Sequence, residues 1–303
     1  MPEHHEPVLV ERVVAEAQGA CRVVDGTVGD GGHAAALLER PGVELLGIDR
    51  DPAAIAVARE RLGREVRLIQ ASYADPEALE AIRGFRPDFI LLDLGVSSRQ
   101  FDQEDRGFTF RPGSPLDMRM DGTGQSAADW LNDAPVEELQ RILADYADER
   151  RARRMAREID RRRQRHAFAT SDDLVNAVRA VLGPRSGPAD FARIFQALRI
   201  AVNDELTGLA AALPSMRDSL SPCGRLAVIS YHSGEDRIVK QAFHSWARSC
   251  VCPPHQPVCT CRGVPLGRAI PRKPVVPEQA EVAANPRARS AKLRIFQVSG
   301  NEA

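Results

Sequence analysis

Three aspartates stand where short apolar runs end: Asp25 after Cys21–Val24, Asp49 after Leu45–Ile48, and Asp93 after Phe89–Leu92. Asp25 opens a glycine-rich turn, Gly26-Thr27-Val28-Gly29-Asp30-Gly31-Gly32. In that turn Gly29, Gly31 and Gly32 let backbone approach a ligand closely and tolerate positive φ. Asp49 follows the turn by about twenty residues, the separation at which a carboxylate accepts both hydroxyls of a ribose. A nicotinamide or flavin site is the first competitor for such a glycine turn. An acid at the first strand end would repel a pyrophosphate resting on the next helix, whereas it suits a cation such as a sulfonium carrying an amino group. Asp93 adds a third carboxylate at a strand end. Any one of these acids could merely cap a helix; three at strand ends point to a shared crevice.

Other residues could take part. His232, in Ser230-Tyr231-His232-Ser233, follows a strand and either faces the same crevice or serves as a structural hydrogen-bonder. Asp117 and Asp121 flank Arg119 in a loop, where they either close over a substrate or form a surface ion cluster worth little. Phe101, Phe108 and Phe110 could stack on a base, although core packing is the more usual fate of such residues. Cys250-Val-Cys252 and Cys259-Thr-Cys261 bracket Pro253–Pro257, and four thiolates so close can satisfy tetrahedral zinc, pinning a loop that lacks its own core.

The elements that must position these residues alternate at first. Strand runs at Cys21–Val24, Leu45–Ile48, Val66–Gln70 and Phe89–Leu92 are separated by helices at His33–Leu38, Pro52–Leu62 and Pro76–Arg83. That alternation predicts a parallel sheet covered on both faces, with ligands outside the strands' carboxyl ends. Gln100–Gly124 then reads as a long loop, and such loops are usually functional or disordered. Helical patterns follow at Val136–Tyr146, Asp148–Arg165, Ser171–Leu182 and Ala189–Leu213, before strand character returns at Leu226–Ser230 and Leu293–Val298. We therefore expect residues 1–115 and 216–303 to form one α/β domain interrupted by a helical domain at 116–215. The second part would carry the cysteine-rich loop and a basic tail.

The chain has 303 residues, enough for this arrangement, and its 43% hydrophobic and 27% charged content suits a soluble globular protein. The net charge of −1 hides an uneven distribution, with arginine crowded at Arg150–Arg165 and from Arg262 to Arg294. Two basic regions suggest a polyanionic partner. Met155 and Ile159 would give the first a narrow buried face opposite guanidinium groups; Arg287, Arg289, Lys292 and Arg294 could grip phosphate from elsewhere. At 5% aromatic content a broad stacking platform for single strands is not expected. No apolar run approaches the ~18 residues of a membrane span, and Met1–Pro7 lacks the pattern of a signal peptide. Cytoplasmic residence follows as an expectation, with the six cysteines reduced unless they hold metal.

Asp25–Gly31 resembles the first motif of class I methyltransferases, with Thr27 in place of the usual middle glycine. Together with Asp49-Arg-Asp-Pro52, Leu91–Ser98, Arg106-Gly-Phe-Thr-Phe110, Pro115–Asp121, Ser230–Arg237 and Asn285–Arg294, the segment Asp25–His33 is similar to the MraW/RsmH family. The resemblance runs from about His4 to Arg294. It implies a Rossmann-like methyltransferase sheet with an inserted all-helical domain, and S-adenosylmethionine-dependent N4-methylation of a cytosine in the decoding region of 16S ribosomal RNA. It further implies that Gly31, Gly32 and His33 bind the methionine end of the cofactor, that Asp49 holds the ribose, that Tyr73 packs by the adenine, and that Asp93 and Gln100 complete the pocket. Tyr73 and Gln100 rest on the resemblance alone.

Methylating a cytosine amine requires the nitrogen to gain nucleophilicity as the methyl arrives, which an acceptor aimed at its protons would favour. Many amino methyltransferases place an Asn/Asp-Pro-Pro-aromatic loop at this strand end. Here Asp93-Leu-Gly-Val-Ser-Ser98 stands instead, so the proline-fixed geometry does not carry over. Asp93 is the expected acceptor, assisted by Ser97 or Ser98; the other reading is that Asp93 only orients cofactor. The base must leave its stack to reach the methyl. Small-subunit RNA is the expected partner, and a homodimer stays open. The rivals are a methyltransferase acting on another nucleotide, a nicotinamide-dependent oxidoreductase, and an RNA-binding assembly factor without catalysis. Mass mapping of the modified base, retention of the methyl donor but not NAD, and methyl incorporation respectively separate them.

Overall fold

The computed structural model describes residues 7–253, 256 and 258–300, with backbone alone at residue 98. His4 and the rest of Met1–Glu6 lie outside the described residues, as do Pro254, His255 and Pro257 between the cysteine pairs and the side chain of Ser98. In chain order the elements are α1 (Val10–Glu16), β1 (Arg22–Asp25), α2 (Gly32–Leu38), β2 (Glu44–Asp49), α3 (Pro52–Leu62), β3 (Arg67–Gln70), α4 (Pro76–Phe85) and β4 (Phe89–Asp93). Six helices follow, α5 (Ser98–Asp102), α6 (Ala127–Asp133), α7 (Val136–Ala147), α8 (Ala152–Arg163), α9 (Ser171–Leu182) and α10 (Pro188–Asn203). The chain ends with α11 (Glu205–Ser219), β5 (Arg225–Ser230), α12 (Ser233–Ala247), β6 (Gly267–Ala269), α13 (Gln279–Ala284) and β7 (Lys292–Val298). None of the described helices is long and apolar enough to cross a membrane.

The strands form one seven-stranded sheet in the order β3-β2-β1-β4-β5-β7-β6, with β7 antiparallel to both its neighbours and β1 to β5 parallel. This is the α/β class I methyltransferase sheet that the resemblance implies. Its sequence cause is a run of residues apolar on both faces. Val23, Leu45, Phe89, Leu91, Ala227 and Ile229 enter one core, and Val24, Leu46, Ile90, Leu92, Leu226 and Val228 enter the other. The period of two is the pleat itself. Phe89, Ile90, Leu91 and Leu92 are wholly buried, so truncating any of them to alanine should cost about 2–5 kcal/mol. Chain order reverses between β1 and β4, which sets a crevice at the carboxyl ends of these central strands.

Two compact units result, 1–95 with 206–303, and 96–205. The boundaries differ from the expected 115/116 and 215/216, and packing gives the reason. Phe108, Leu116 and, partly, Val96 and Phe110 belong to the helical core, whereas Leu209, Ala212, Leu213 and Met216 of α11 join a core of the sheet. The segment expected as one helix at Ala189–Leu213 is two, because Asp204 adopts φ 48°. Aspartate tolerates this left-handed conformation better than most side chains. The Gln100–Gly124 loop likewise contains α5 and a short 3-10 turn at Glu104–Arg106. The three-residue β6 carried no readable strand signal.

Candidate active site

The first unit brings Asp25, Asp49 and Asp93 to the carboxyl ends of adjacent strands. β1 is flanked by β2 and β4, with Asp25 in register with Gly47 and Leu91. Asp25 is buried, and one of its oxygens accepts from the Thr27 N–H at 3.2 Å. Asp49 accepts from Gly29 N–H and from Asp51 N–H, each at 2.9 Å, so it fixes the glycine turn while leaving acceptor capacity. Gly29 and Gly31 have positive φ (53° and 78°), as expected, but Gly32 does not; there a Cβ would press on Pro7 at 3.3 Å. At Gly26 a Cβ would come within 2.6 Å of Leu92 and 3.6 Å of the Cβ of Tyr73, which places Tyr73 against the same turn.

Asp93 is the most heavily supported of the three. Its backbone N–H donates to the Thr27 hydroxyl at 2.6 Å, one carboxylate oxygen accepts from the Tyr231 phenol at 2.8 Å, and the other lies 3.7 Å from Nδ1 of His33. His33 is buried, with Nε2 2.9 Å from the Val8 carbonyl. Because a carbonyl only accepts, Nε2 carries the proton there and Nδ1 faces Asp93. Neither Thr27 nor Tyr231 is identifiable from sequence as a partner of Asp93. Thr27 was visible only as a departure from the glycine motif. Tyr231 lies two residues past Ile229, which pairs with Asp93, but that adjacency follows from strand order and not from spacing.

Burial is the first influence on all three acids. It pushes Asp25 up to about 7 and Asp49 up to about 6, and it also raises Asp93. Asp93 and Asp49 each add to the rise at Asp25 by repulsion, whereas His33 opposes it. The repulsion shows that the three carboxylates share one electrostatic neighbourhood. A group of acids reluctant to ionise together is a site that a cation would relieve.

Ser97 and Gln100 fall in the second unit. There they cap α5 reciprocally, Ser97 N–H donating to Gln100 at 3.1 Å and Gln100 N–H to the Ser97 hydroxyl at 3.2 Å. His232 caps α12, its Nδ1 accepting from Gly234 N–H at 3.2 Å, which is the structural alternative. Arg119 clasps Asp117 with two guanidinium contacts of 2.9 and 2.7 Å, the ion cluster rather than a free acid. Phe108 is buried and Phe110 packs edge-on against Phe191 and Phe195, while Phe101 is exposed.

The basic regions divide in two. On α8, Ala152, Met155, Ala156 and Ile159 are buried while Arg153, Arg154 and Arg157 are exposed on the other side, joined by Arg150 before the helix. Arg161 and Arg162 instead pair with Glu158, and Arg163 pairs with Asp160 and donates to the Leu131 and Ala134 carbonyls. In the tail Arg294 is largely enclosed and pairs with Asp236 at 2.7 Å, which takes it out of the expected phosphate grip, whereas Lys292 meets the same carboxylate at 3.4 Å with its side chain still 42% exposed; Arg287 and Arg289 are exposed.

Comparison with known proteins identifies the family. The model of the MraW methylase family matches residues 2–299. A ribosomal RNA small subunit methyltransferase H of Gemmatimonas aurantiaca is 58% identical over 301 residues, covering 97% of this chain and 95% of that one. Its counterpart in Heliobacterium mobile is 45% identical over 310 residues, covering 98% and 99%. Among solved structures, one titled a putative rRNA-methylase from Clostridium thermocellum aligns with a TM-score of 0.42 at 11% identity, covering 97% of this chain and all of that one. With the family model spanning almost the whole sequence, the chain belongs to the MraW methylase family.

Proposed function

We propose that the chain catalyses S-adenosylmethionine-dependent N4-methylation of a cytosine in the decoding region of 16S ribosomal RNA, in the cytoplasm. One observation carries the reading beyond family membership: three carboxylates at the ends of β2, β1 and β4, all raised by burial, of which Asp93 and Asp49 both raise the proton affinity of Asp25 between them, so that a positive charge there would be welcome. The names of the relatives supply the substrate class. The donor set fits the cofactor, since a cationic amino-sulfonium group suits buried Asp25 together with Asp93 and a ribose suits Asp49, which keeps acceptor capacity beyond its two backbone donors. When bound, the cofactor supplies an electrophilic methyl group on sulfur.

The residues of this chain do the rest. Gly29, Gly31 and Gly32 would bring backbone close to the methionine end, with His33 binding there too, and Tyr73 would pack by the adenine. Asp93 accepts a hydrogen bond from the cytosine amine, frees the nitrogen lone pair from the ring, and takes up the proton as the carbon–nitrogen bond forms. Burial makes Asp93 a stronger base than an exposed aspartate, and Tyr231 and Thr27 hold it in place. The exposed arginines of α8 bind phosphate and supply affinity without choosing the base. No step uses the four clustered cysteines.

The test is transfer of labelled methyl from S-adenosylmethionine into small-subunit RNA or assembled subunits from cells lacking this protein, with mass mapping of the product. One N4-methylcytidine in the decoding region is expected, and Asp93→Ala should abolish it with the fold intact, at donor concentrations raised to offset weaker binding. Methyl on a different nucleotide, or full activity in Asp93→Ala, would overturn the assignment.

A further inference from the structure

Four thiols converge away from the three aspartates. Cys250 and Cys252 follow the end of α12, and Cys259 and Cys261 precede β6. The Sγ of Cys259 lies 3.9 Å from that of Cys250, 3.8 Å from that of Cys252 and 3.5 Å from that of Cys261, and the four sulfurs all lie within 4.8 Å of one another. These are free thiols, since a disulfide would hold its sulfurs at about 2.05 Å. A metal bound tetrahedrally by thiolates at about 2.3 Å places its sulfurs about 3.8 Å apart along each edge. The three separations at Cys259 match such an edge, and the other three are no longer than 4.8 Å.

Packing gives no other reason for the convergence. Val251, Val258 and Val264 are 38%, 70% and 60% exposed, so among the described residues no apolar cluster gathers the segment. Its described residues between Ala247 and Gly267 form no helix or strand. What does hold it lies at its base. Arg262, next to Cys261, donates to the Ser245 and Arg248 carbonyls at 2.6 and 2.8 Å, and Leu266 N–H donates to the Trp246 carbonyl at 2.9 Å. Val251 N–H points at the Cys261 sulfur from 3.3 Å, a contact that favours a thiolate ligand.

We propose that Cys250, Cys252, Cys259 and Cys261 bind a single zinc ion as a structural site that crosslinks the connection between α12 and β6. Four soft thiolates select zinc over magnesium or calcium, and a shell closed by four protein ligands leaves no position for catalysis. A polynuclear iron–sulfur cluster would hold its thiolates farther apart than this. Binding converts four thiols to thiolates and releases their protons to solvent, with no change in oxidation state. The site is independent of the methyl-transfer reading, because its ligands touch none of that site's residues.

The experiment measures metal by elemental mass spectrometry on the full chain, prepared without a histidine tag and desalted after incubation with zinc. About one equivalent is expected, and cobalt in its place should give the thiolate charge-transfer and tetrahedral ligand-field bands of a four-sulfur site. Cys259→Ser should retain less than about a tenth of the metal, while Cys21→Ser and Cys223→Ser retain all of it. Calorimetric binding of S-adenosylmethionine by Cys259→Ser shows that the variant is folded. Wild-type protein that emerges without zinc, a cobalt spectrum lacking the thiolate band, or full metal retention in Cys259→Ser would each overturn the proposal. None of these readouts depends on whether the chain methylates RNA.

Discussion

Asp93 is held between opposing influences: burial favours its protonated form, whereas His33 and the Tyr231 phenol favour the carboxylate. The phenol's own proton is secured by burial and by Asp93, so Tyr231 stays a donor. Tyr231→Phe removes an influence that lowers the proton affinity of Asp93, and that affinity must therefore rise. If Asp93 accepts the amine proton, the acid limb of kcat moves to higher pH in Tyr231→Phe while the alkaline plateau and the KM for S-adenosylmethionine change little. A pH series under saturating donor checks this; a lowered plateau with an unmoved limb would mean the phenol is only scaffolding. At this scale the sequence was legible where chemistry follows from position on a strand, as at Asp25, Asp49 and Asp93. Thr27 and Tyr231 were not, because a partner on a neighbouring strand emerges only when β1, β4 and β5 lie side by side.

Helix α8 shows how much of a basic segment is available to a partner. Periodicity alone separates its buried residues, Met155 and Ile159 among them, from Arg153, Arg154 and Arg157. It does not separate the arginines from one another. Glu158 and Asp160 stand three or four residues from Arg161, Arg162 and Arg163, and the helix brings each pair together. Arg163 goes further and satisfies two carbonyls at the end of α6 and just beyond it, at Leu131 and Ala134. Two kinds of variant should therefore behave differently. Arg153→Glu with Arg157→Glu should weaken RNA binding and flatten its salt dependence, by about 0.7–0.9 in log–log slope for each phosphate no longer neutralised, with little change in melting temperature. Arg163→Ala should leave that slope alone and lower stability by about 1–3 kcal/mol, because the Leu131 and Ala134 carbonyls lose the guanidinium that bonds them while Asp160 is left with Gln164. Filter binding across a salt series, set beside thermal melts, distinguishes the two.

Across the whole molecule, each unit has a core of its own, and the expected boundaries missed because loop residues such as Phe108 and Leu116 carry no period that assigns them to a core. The sheet unit carries the acids, and their effect on its stability has an unusual sign. Asp25 rises from 3.8 to about 7 and Asp49 from 3.8 to about 6 on folding, so between those limits the folded chain holds more protons than the unfolded chain. Unfolding free energy then falls as pH rises from about 4 to about 7, the reverse of a salt-bridged carboxylate. For buried Asp25 alone the decrease is roughly 4 kcal/mol, at about 1.4 kcal/mol per unit of pKa. A cationic ligand seated among ionised carboxylates reverses the penalty, so its binding must release protons and strengthen over the same interval. With Asp25 titrating near 7, affinity for S-adenosylmethionine should be about tenfold weaker at pH 6 than at pH 8, and the gap in melting temperature between free and liganded protein should widen accordingly. Titration calorimetry in buffers of differing ionisation enthalpy reads the released proton directly. Asp25→Asn should show a flatter pH dependence, a more stable free form at pH 8, and weaker donor binding there; a variant that binds as tightly as the parent at pH 8 would separate the carboxylate from the cation it is placed to receive.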